Sequence, residues 1–231
     1  MRIGFTGLEL PEGKIRYNDR ILQALSLKDR PQKVSPFYVE FLPDEFDRCD
    51  AIVITRETIL DLLILDMEKI EARMARLADA DGIAFLQRCL DSLEMDTPLC
   101  DLQLTEWETS VVMTAAPFSL KPVIQVEGNE GIDELITRAL DRAGFMFFYT
   151  FGPTESHAWL VERHSDIVSC AARIHTDLAR GFIKGDVLSF ESYMNCHSFN
   201  EAKAKGVARL VDRDYVVQSG EILEIRFNTT R

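Results

Sequence analysis

Short apolar runs alternate with longer stretches of helical spacing along most of the chain. Residues 2–6 (RIGFT), 37–41 (FYVEF), 51–55 (AIVIT) and 123–126 (VIQV) are compact, apolar and β-rich, which marks buried strands. Between them, residues 18–27 place Ile21, Leu22 and Leu25 on one helical face, with Asn18 or Asp19 as N-cap. Residues 57–94 carry the longest helical pattern. Leu63, Met67, Ile70, Met74 and Leu77 recur at 3–4 spacing, and a break near Asp79–Gly82 turns the stretch into a hairpin. Core packing is favoured over a partner-binding stripe for that face, because burial supplies most helical stability. Residues 105–116 and 131–143 are further helices, the latter closed by Gly144. Strands alternating with helices predict an α/β domain over 1–144, with a helical insertion over about 57–116.

At Phe145 the pattern changes. FMFFYTFG is strand-like but alternates only weakly, and Ala158–Val161 is a second short strand. Helix at 167–178, strand at 187–190, short helix at 199–205 and strands at 215–217 and 222–227 follow. Gln218–Glu221 reads as the tight turn of a terminal hairpin. This is an α+β module with its own core, residues 145–231.

Composition adds exclusions. The five cysteines form no CxxC pair and no zinc spacing, so reduced thiols and no metal are expected. The net charge of −12 disfavours a phosphate backbone as partner. Residues 151–231 hold 10 Lys/Arg against 11 Asp/Glu, so nearly all the imbalance lies in residues 1–150. Nucleic-acid contact is therefore less disfavoured in the C-terminal part, and no DNA partner is expected. No apolar run reaches the roughly 18 residues of a membrane span, and the start reads as a strand rather than a signal peptide. The expectation is a cytoplasmic protein with no membrane partner.

Three C-terminal stretches resemble a known family. FYTFGPTESHAW (148–159), RIHTDLARGFIK (173–184) and ARLVDRDYVVQSGEILEIRFN (208–228) are similar, in order and spacing, to the C-terminal domain of YchF/Obg-family translation-associated GTPases. The resemblance implies a TGS domain, a small β-grasp (ubiquitin-like) module, for residues 145–231. Lys121-Pro122 in LKPVIQV and the Leu60–Leu77 helix also look like that family, which implies a P-loop GTPase-like fold for residues 1–144.

The nucleotide chemistry of that family is not intact here. A P-loop requires G-x4-G-K-[ST], whose N–H groups wrap phosphate and whose hydroxyl binds Mg²⁺. Gly7, Gly13 and Lys14 are its remnants, but the glycines stand one residue too far apart and Ile15 replaces the hydroxyl. Pro11 removes a donor, and Glu9 and Glu12 bring charge that would cost on the order of 4 kcal/mol at about 4 Å from a phosphate. No D-x-x-G follows FYVEF, and Gln125–Glu130 offers only an echo of N-x-x-E. Phosphoryl transfer needs all three parts. No catalytic residue, no cofactor, and neither ATP nor GTP are therefore expected.

Arg173, His175, Thr176, Asp177, Arg180 and Lys184 remain as candidate partner-binding residues of the TGS motif. His175-Thr176-Asp177 has no nucleophile beside it and is favoured as structural, bonding nearby backbone. Lys203, Lys205 and Arg209 could extend a basic face, against the simpler alternative of solvated charge. The leading expectation is a non-catalytic protein that binds RNA, the ribosome or a protein partner as a regulator. A nucleotide-binding switch with an atypical phosphate loop and a small-molecule-sensing β-grasp module are the alternatives.

Overall fold

The computed structural model describes residues 1–228, so 229–231, the end of the expected C-terminal domain, lie outside the described residues. The chain forms two compact units. The first comprises Met1–Ile15 and Tyr38–Ala143, the second Arg16–Phe37 and the chain from Gly144 on. Residues 16–37, which the hydropathy pattern assigns to the first domain, therefore group with the second half. No described helix is long and apolar enough to cross a membrane.

The first unit holds a five-stranded sheet made from β1 (Arg2–Thr6), β2 (Gly13–Arg16), β4 (Tyr38–Pro43), β5 (Ala51–Thr55) and β6 (Val123–Val126). Its order is β2-β4-β1-β5-β6. β1 is parallel to β4 and β5, with Ile3 opposite Phe41 and Ala51, and β5 is parallel to β6. Parallel strands are covered on both faces and read as continuous apolar runs, which is why AIVIT was legible. Ile52 and Ile54 point to one face, into a core with Leu62, Leu63, Ile70, Leu86 and Leu93. Those residues come from the hairpin of α2 (Ile59–Met74) and α3 (Ala80–Glu94), whose break is capped by Asp79 accepting the Gly82 N–H. Met67, Met74 and Leu77, partly buried, pack against the same core, so the stripe read from the sequence faces it. Ala51 and Val53 point to the other face, where α5 (Ile132–Arg142) lies against β5 and β6. α4 (Glu106–Met113) completes the unit, opened by a Thr105–Glu108 capping box.

A carboxylate sits in that core. Asp66 on α2 is fully buried and accepts the N–H groups of Phe118 (2.5 Å) and Ser119 (2.7 Å). It satisfies the orphan donors of a short 3-10 turn, Phe118–Leu120, which Pro117 introduces.

The second unit holds a six-stranded sheet of order β10-β9-β11-β7-β8-β3. Its strands are β3 (Lys33–Ser35), β7 (Phe145–Thr150), β8 (Glu155–Glu162), β9 (Phe182–Ser189), β10 (Arg209–Val211) and β11 (Glu221–Phe227). β7 and β8 are antiparallel, β11 runs parallel to β7 and antiparallel to β9, and β3 runs parallel to β8 at one edge. Met146 and Phe148 of β7 enter a core with Ile167, Cys170 and Ala171 of α6 (Ile167–Ile174). On the opposite face, Phe147 stacks on Tyr17 (5.8 Å between centroids) and meets the Phe37 ring edge-on at 5.2 Å. α1 (Arg20–Asp29) covers this side and buries Leu22 and Leu25. Its N-cap is Asp19, which accepts from the Ile21 and Leu22 N–H groups and from the Tyr149 hydroxyl at 2.6 Å. Strand β7 is thus buried on both faces, and that explains its weak alternation.

Several boundaries moved. GKIR (13–16) is a strand, and like β3 and β10 it had no sequence signal. The helix expected at 167–178 breaks at His175, whose φ is −162°, into α6 and α7 (Thr176–Arg180). β9 begins at Phe182, and Phe190–Met194 forms α8. α9 (Phe199–Ala204) follows. Tyr215–Val217 makes no hairpin with β11: Val216 forms an isolated bridge to Asp166, and Gln218–Glu221 delivers the chain to the sheet centre beside β7.

Candidate functional site

The C-terminal ends of β1, β5 and β6 surround a cleft of about 680 Å³. Ligands of open α/β sheets bind at this position, outside the carboxyl ends of the strands. Gly7 leaves β1 with φ of 70°. A Cβ at Gly7 would lie 2.7 Å from the Thr58 hydroxyl oxygen, 2.8 Å from its Cγ2 and 3.0 Å from the Thr55 hydroxyl oxygen. The two hydroxyls are hydrogen-bonded at 2.8 Å. Thr55 ends β5 and Thr58 precedes α2, so a side chain at Gly7 would meet them, while Gly7 itself is exposed and lines the cleft.

The chain then runs through residues 8–12 into β2, with Gly13 at φ of 86° and Lys14 exposed on the strand. The next helix, α1, belongs to the second unit. A phosphate loop works because its N–H groups and the helix it opens point at one anion. Here Gly7 lines the cleft, whereas Gly13 and Lys14 lie in an edge strand and are not among the lining residues. The structure does not bring Gly7, Gly13 and Lys14 together as a cradle.

Charge at the rim is acidic. Glu9, Glu57, Glu127 and Glu130 line the cleft beside one cation, Arg56, which lies 3.6 Å from Glu127 with both side chains exposed. Glu130 is turned back into its own loop. Its carboxylate accepts the N–H groups of Glu127 (3.0 Å), Gly128 (2.9 Å) and Asn129 (3.1 Å), and Arg138 donates at 3.3 Å. The Glu127 N–H and its companions hold this carboxyl below the usual glutamate range. A side chain so engaged is not free to read a base. Thr55, Thr58 and Arg138 escaped the sequence reading, and only the position of Thr55 at the end of an apolar strand hinted at them.

The second unit disperses its candidates. Arg173 donates to the Leu160 carbonyl at 3.1 Å. His175 is the N-cap of α7, its Nδ1 accepting the Asp177 N–H at 3.2 Å. Thr176 starts that helix, and Asp177 lies 3.5 Å from His175 and 3.9 Å from Arg180, all exposed. Lys184 pairs with Asp212. Lys203 bridges Asp186 (3.2 Å) and Glu224 (2.8 Å), Lys205 pairs with Glu201 (2.6 Å), and Arg209 with Glu221 (2.8 Å). The basic residues singled out by sequence are mostly tied to carboxylates or carbonyls rather than gathered into an unpaired face. The five cysteines are free thiols, with Cys100 alone not fully buried.

Comparison with known proteins places this arrangement in context. Residues 145–228 match the family model YchF-GTPase_C, described as "Protein of unknown function (DUF933)". The chain is 26% identical over 160 residues to the "Ribosome-binding ATPase YchF" of Mycoplasma genitalium, covering 69% of this chain and 44% of that protein. It is 24% identical over 240 residues to the Bacillus subtilis protein of the same name, covering 74% and 66%. The human "Obg-like ATPase 1" is 37% identical over 93 residues, 38% of this chain and 24% of that one. The chain thus spans less than two thirds of each of these relatives. Among solved structures, the Schizosaccharomyces pombe YchF GTPase superposes with a TM-score of 0.78 at 14% identity, covering 98% of this chain and 97% of that one. A GTP-binding protein from Pyrococcus horikoshii gives 0.56 at 13% identity over 99% and 100%. At such identities the likeness concerns the mixed α/β fold alone.

Proposed function

We propose that this chain, a relative of the YchF family, acts by binding rather than by catalysis, with the ribosome as its partner in the cytoplasm. The observation that carries the reading is the route of the chain after β1. Gly7 is exposed at the cleft, but Gly13 and Lys14 lie on the edge strand β2 and are not among the cleft's lining, so the three form no cradle for a transferring phosphoryl. The acidic rim works in the same direction.

For the second unit we adopt the TGS, β-grasp reading. The mixed run β8-β7-β11-β9, with β11 parallel to the first strand of its hairpin and α6 packed on one face, supports it. The names of the curated relatives motivate the ribosome as partner. Because the cations of this unit are largely paired, RNA phosphates would compete with existing carboxylates, and association would weaken steeply with salt. Co-sedimentation with ribosomes over a salt series tests this. Pelleting that fades as salt rises is expected, and absence of pelleting even at low salt would sink the proposal.

A second reading, a nucleotide-binding switch, is favoured by the cleft of about 680 Å³ at the strand ends and by relatives named as ATPases. Calorimetry separates the two: submicromolar ATP or GTP affinity would select the switch.

A further inference from the structure

The hairpin buries one face of α2 and leaves the other open, and the open face has an unusual composition. Leu60, Ile64 and Leu65 are 48%, 50% and 42% exposed. At helical spacing they share a contiguous arc with Asp61, Glu68 and Glu71, all exposed. No basic residue of α2 falls within this arc. The two cations of the helix are directed elsewhere: Lys69 donates to the Ala116 carbonyl at 2.9 Å and lies over the Phe118 ring, and Arg73 donates to the Thr114 hydroxyl at 2.7 Å. Among the described residues, Asp61, Glu68 and Glu71 have no ion pair or side-chain hydrogen bond. A merely solvated helix face gains from pairing its carboxylates with Lys or Arg three or four residues on. This one instead combines large aliphatic side chains with uncompensated negative charge.

We propose that this face of α2 is a docking surface for a basic amphipathic helix of a partner protein. The aliphatic residues would cover the partner's apolar stripe, and Asp61, Glu68 and Glu71 would meet its flanking Lys and Arg. Charge complementarity selects this occupant: nucleic acid is repelled by the same carboxylates, and a second copy of the acidic stripe would repel itself. The inference stands apart from the ribosome reading, and its test uses no ribosomes.

The probe is a fluorescein-labelled 18-residue Lys/Leu peptide with apolar residues at helical spacing, titrated with the full chain by anisotropy at low salt. A peptide of equal composition with scrambled order serves as control. Binding of the patterned peptide is expected to exceed that of the scrambled one. Leu60→Ser/Ile64→Ser should weaken it about tenfold, as expected for removing central apolar contacts. Asp61→Asn/Glu68→Gln should weaken it and flatten its salt dependence. Glu94→Gln/Asp96→Asn, which removes the same charge elsewhere, should leave it unchanged. Circular dichroism confirms that each variant is folded, and the charge pair tests the proposal if the apolar pair does not fold. Equal loss with the Glu94/Asp96 variant, equal binding of the scrambled peptide, or no effect from the α2 substitutions would overturn the proposal. So would tighter binding of a single-stranded RNA oligonucleotide through the same residues.

Discussion

Replacing Gly7 by Ala interrogates the packing of Thr55 and Thr58 against the turn that follows β1. Two costs add. An L-residue at φ of 70° loses about 1–2 kcal/mol relative to glycine. The new methyl would also meet Thr58 at 2.7 and 2.8 Å and Thr55 at 3.0 Å, an overpacking cost of about 1–3 kcal/mol. Gly7→Ala should therefore destabilise the first unit by about 2–5 kcal/mol. Thr58→Ala alone forfeits the hydroxyl pair with Thr55, about 1 kcal/mol. In the double variant the clash with Thr58 disappears, so the sum of the single effects should exceed the double by about 1–3 kcal/mol. Urea unfolding followed through Trp107 in a Trp159→Phe background reports on the first unit and completes the cycle. Additive effects would refute the close approach of Thr58 to Gly7.

Other substitutions test the two units separately. Asp66→Ala strands the Phe118 and Ser119 N–H groups in the core and should cost the first unit about 3–5 kcal/mol, measured by the same unfolding assay. Tyr149→Phe leaves the buried Asp19 carboxylate without its hydroxyl donor and should cost the second unit about 1–2 kcal/mol, read through Trp159. Burial raises the Asp186 carboxyl, but Arg226 (2.6 and 2.8 Å) and Lys203 outweigh it and hold the group below its ordinary value of about 3.8. Its contribution is complete above that unfolded value and is lost as pH falls through the lower folded one. Asp186→Asn should therefore make second-unit stability less dependent on pH below about 4, and an unchanged acid limb would contradict the assignment.

Sequence carried the parts of the fold that burial writes locally. The runs at 51–55 and 123–126 and the α2–α3 hairpin with its break near Asp79–Gly82 were legible, and the α1 N-cap was narrowed to Asn18 or Asp19, of which the structure selects Asp19. What escaped depends on distant partners. KVS (33–35) becomes a strand only because Glu155–His157 offers it an edge, and three residues carry no period. FMFFYT could not reveal that its second face is covered by residues 16–37, since a strand buried on both sides carries no alternation to decode. At the candidate site, the loss of the P-loop pattern was visible in Pro11 and Ile15. The approach of two threonines to Gly7 was not, because Thr55 and Thr58 are some fifty residues from Gly7 and threonine has no signature there. Likewise, Gln125–Glu130 offered only an echo of N-x-x-E in sequence, and the three N–H groups around Glu130 show where that side chain points.

The central proposal is that the first unit does not handle nucleotide phosphates. The most direct measurement is ATP and GTP hydrolysis by the purified full chain beside its Lys14→Ala variant, with calorimetric titration of both nucleotides. The account predicts no turnover that depends on Lys14 and no affinity tighter than millimolar. Hydrolysis abolished by Lys14→Ala, with submicromolar binding, would contradict it.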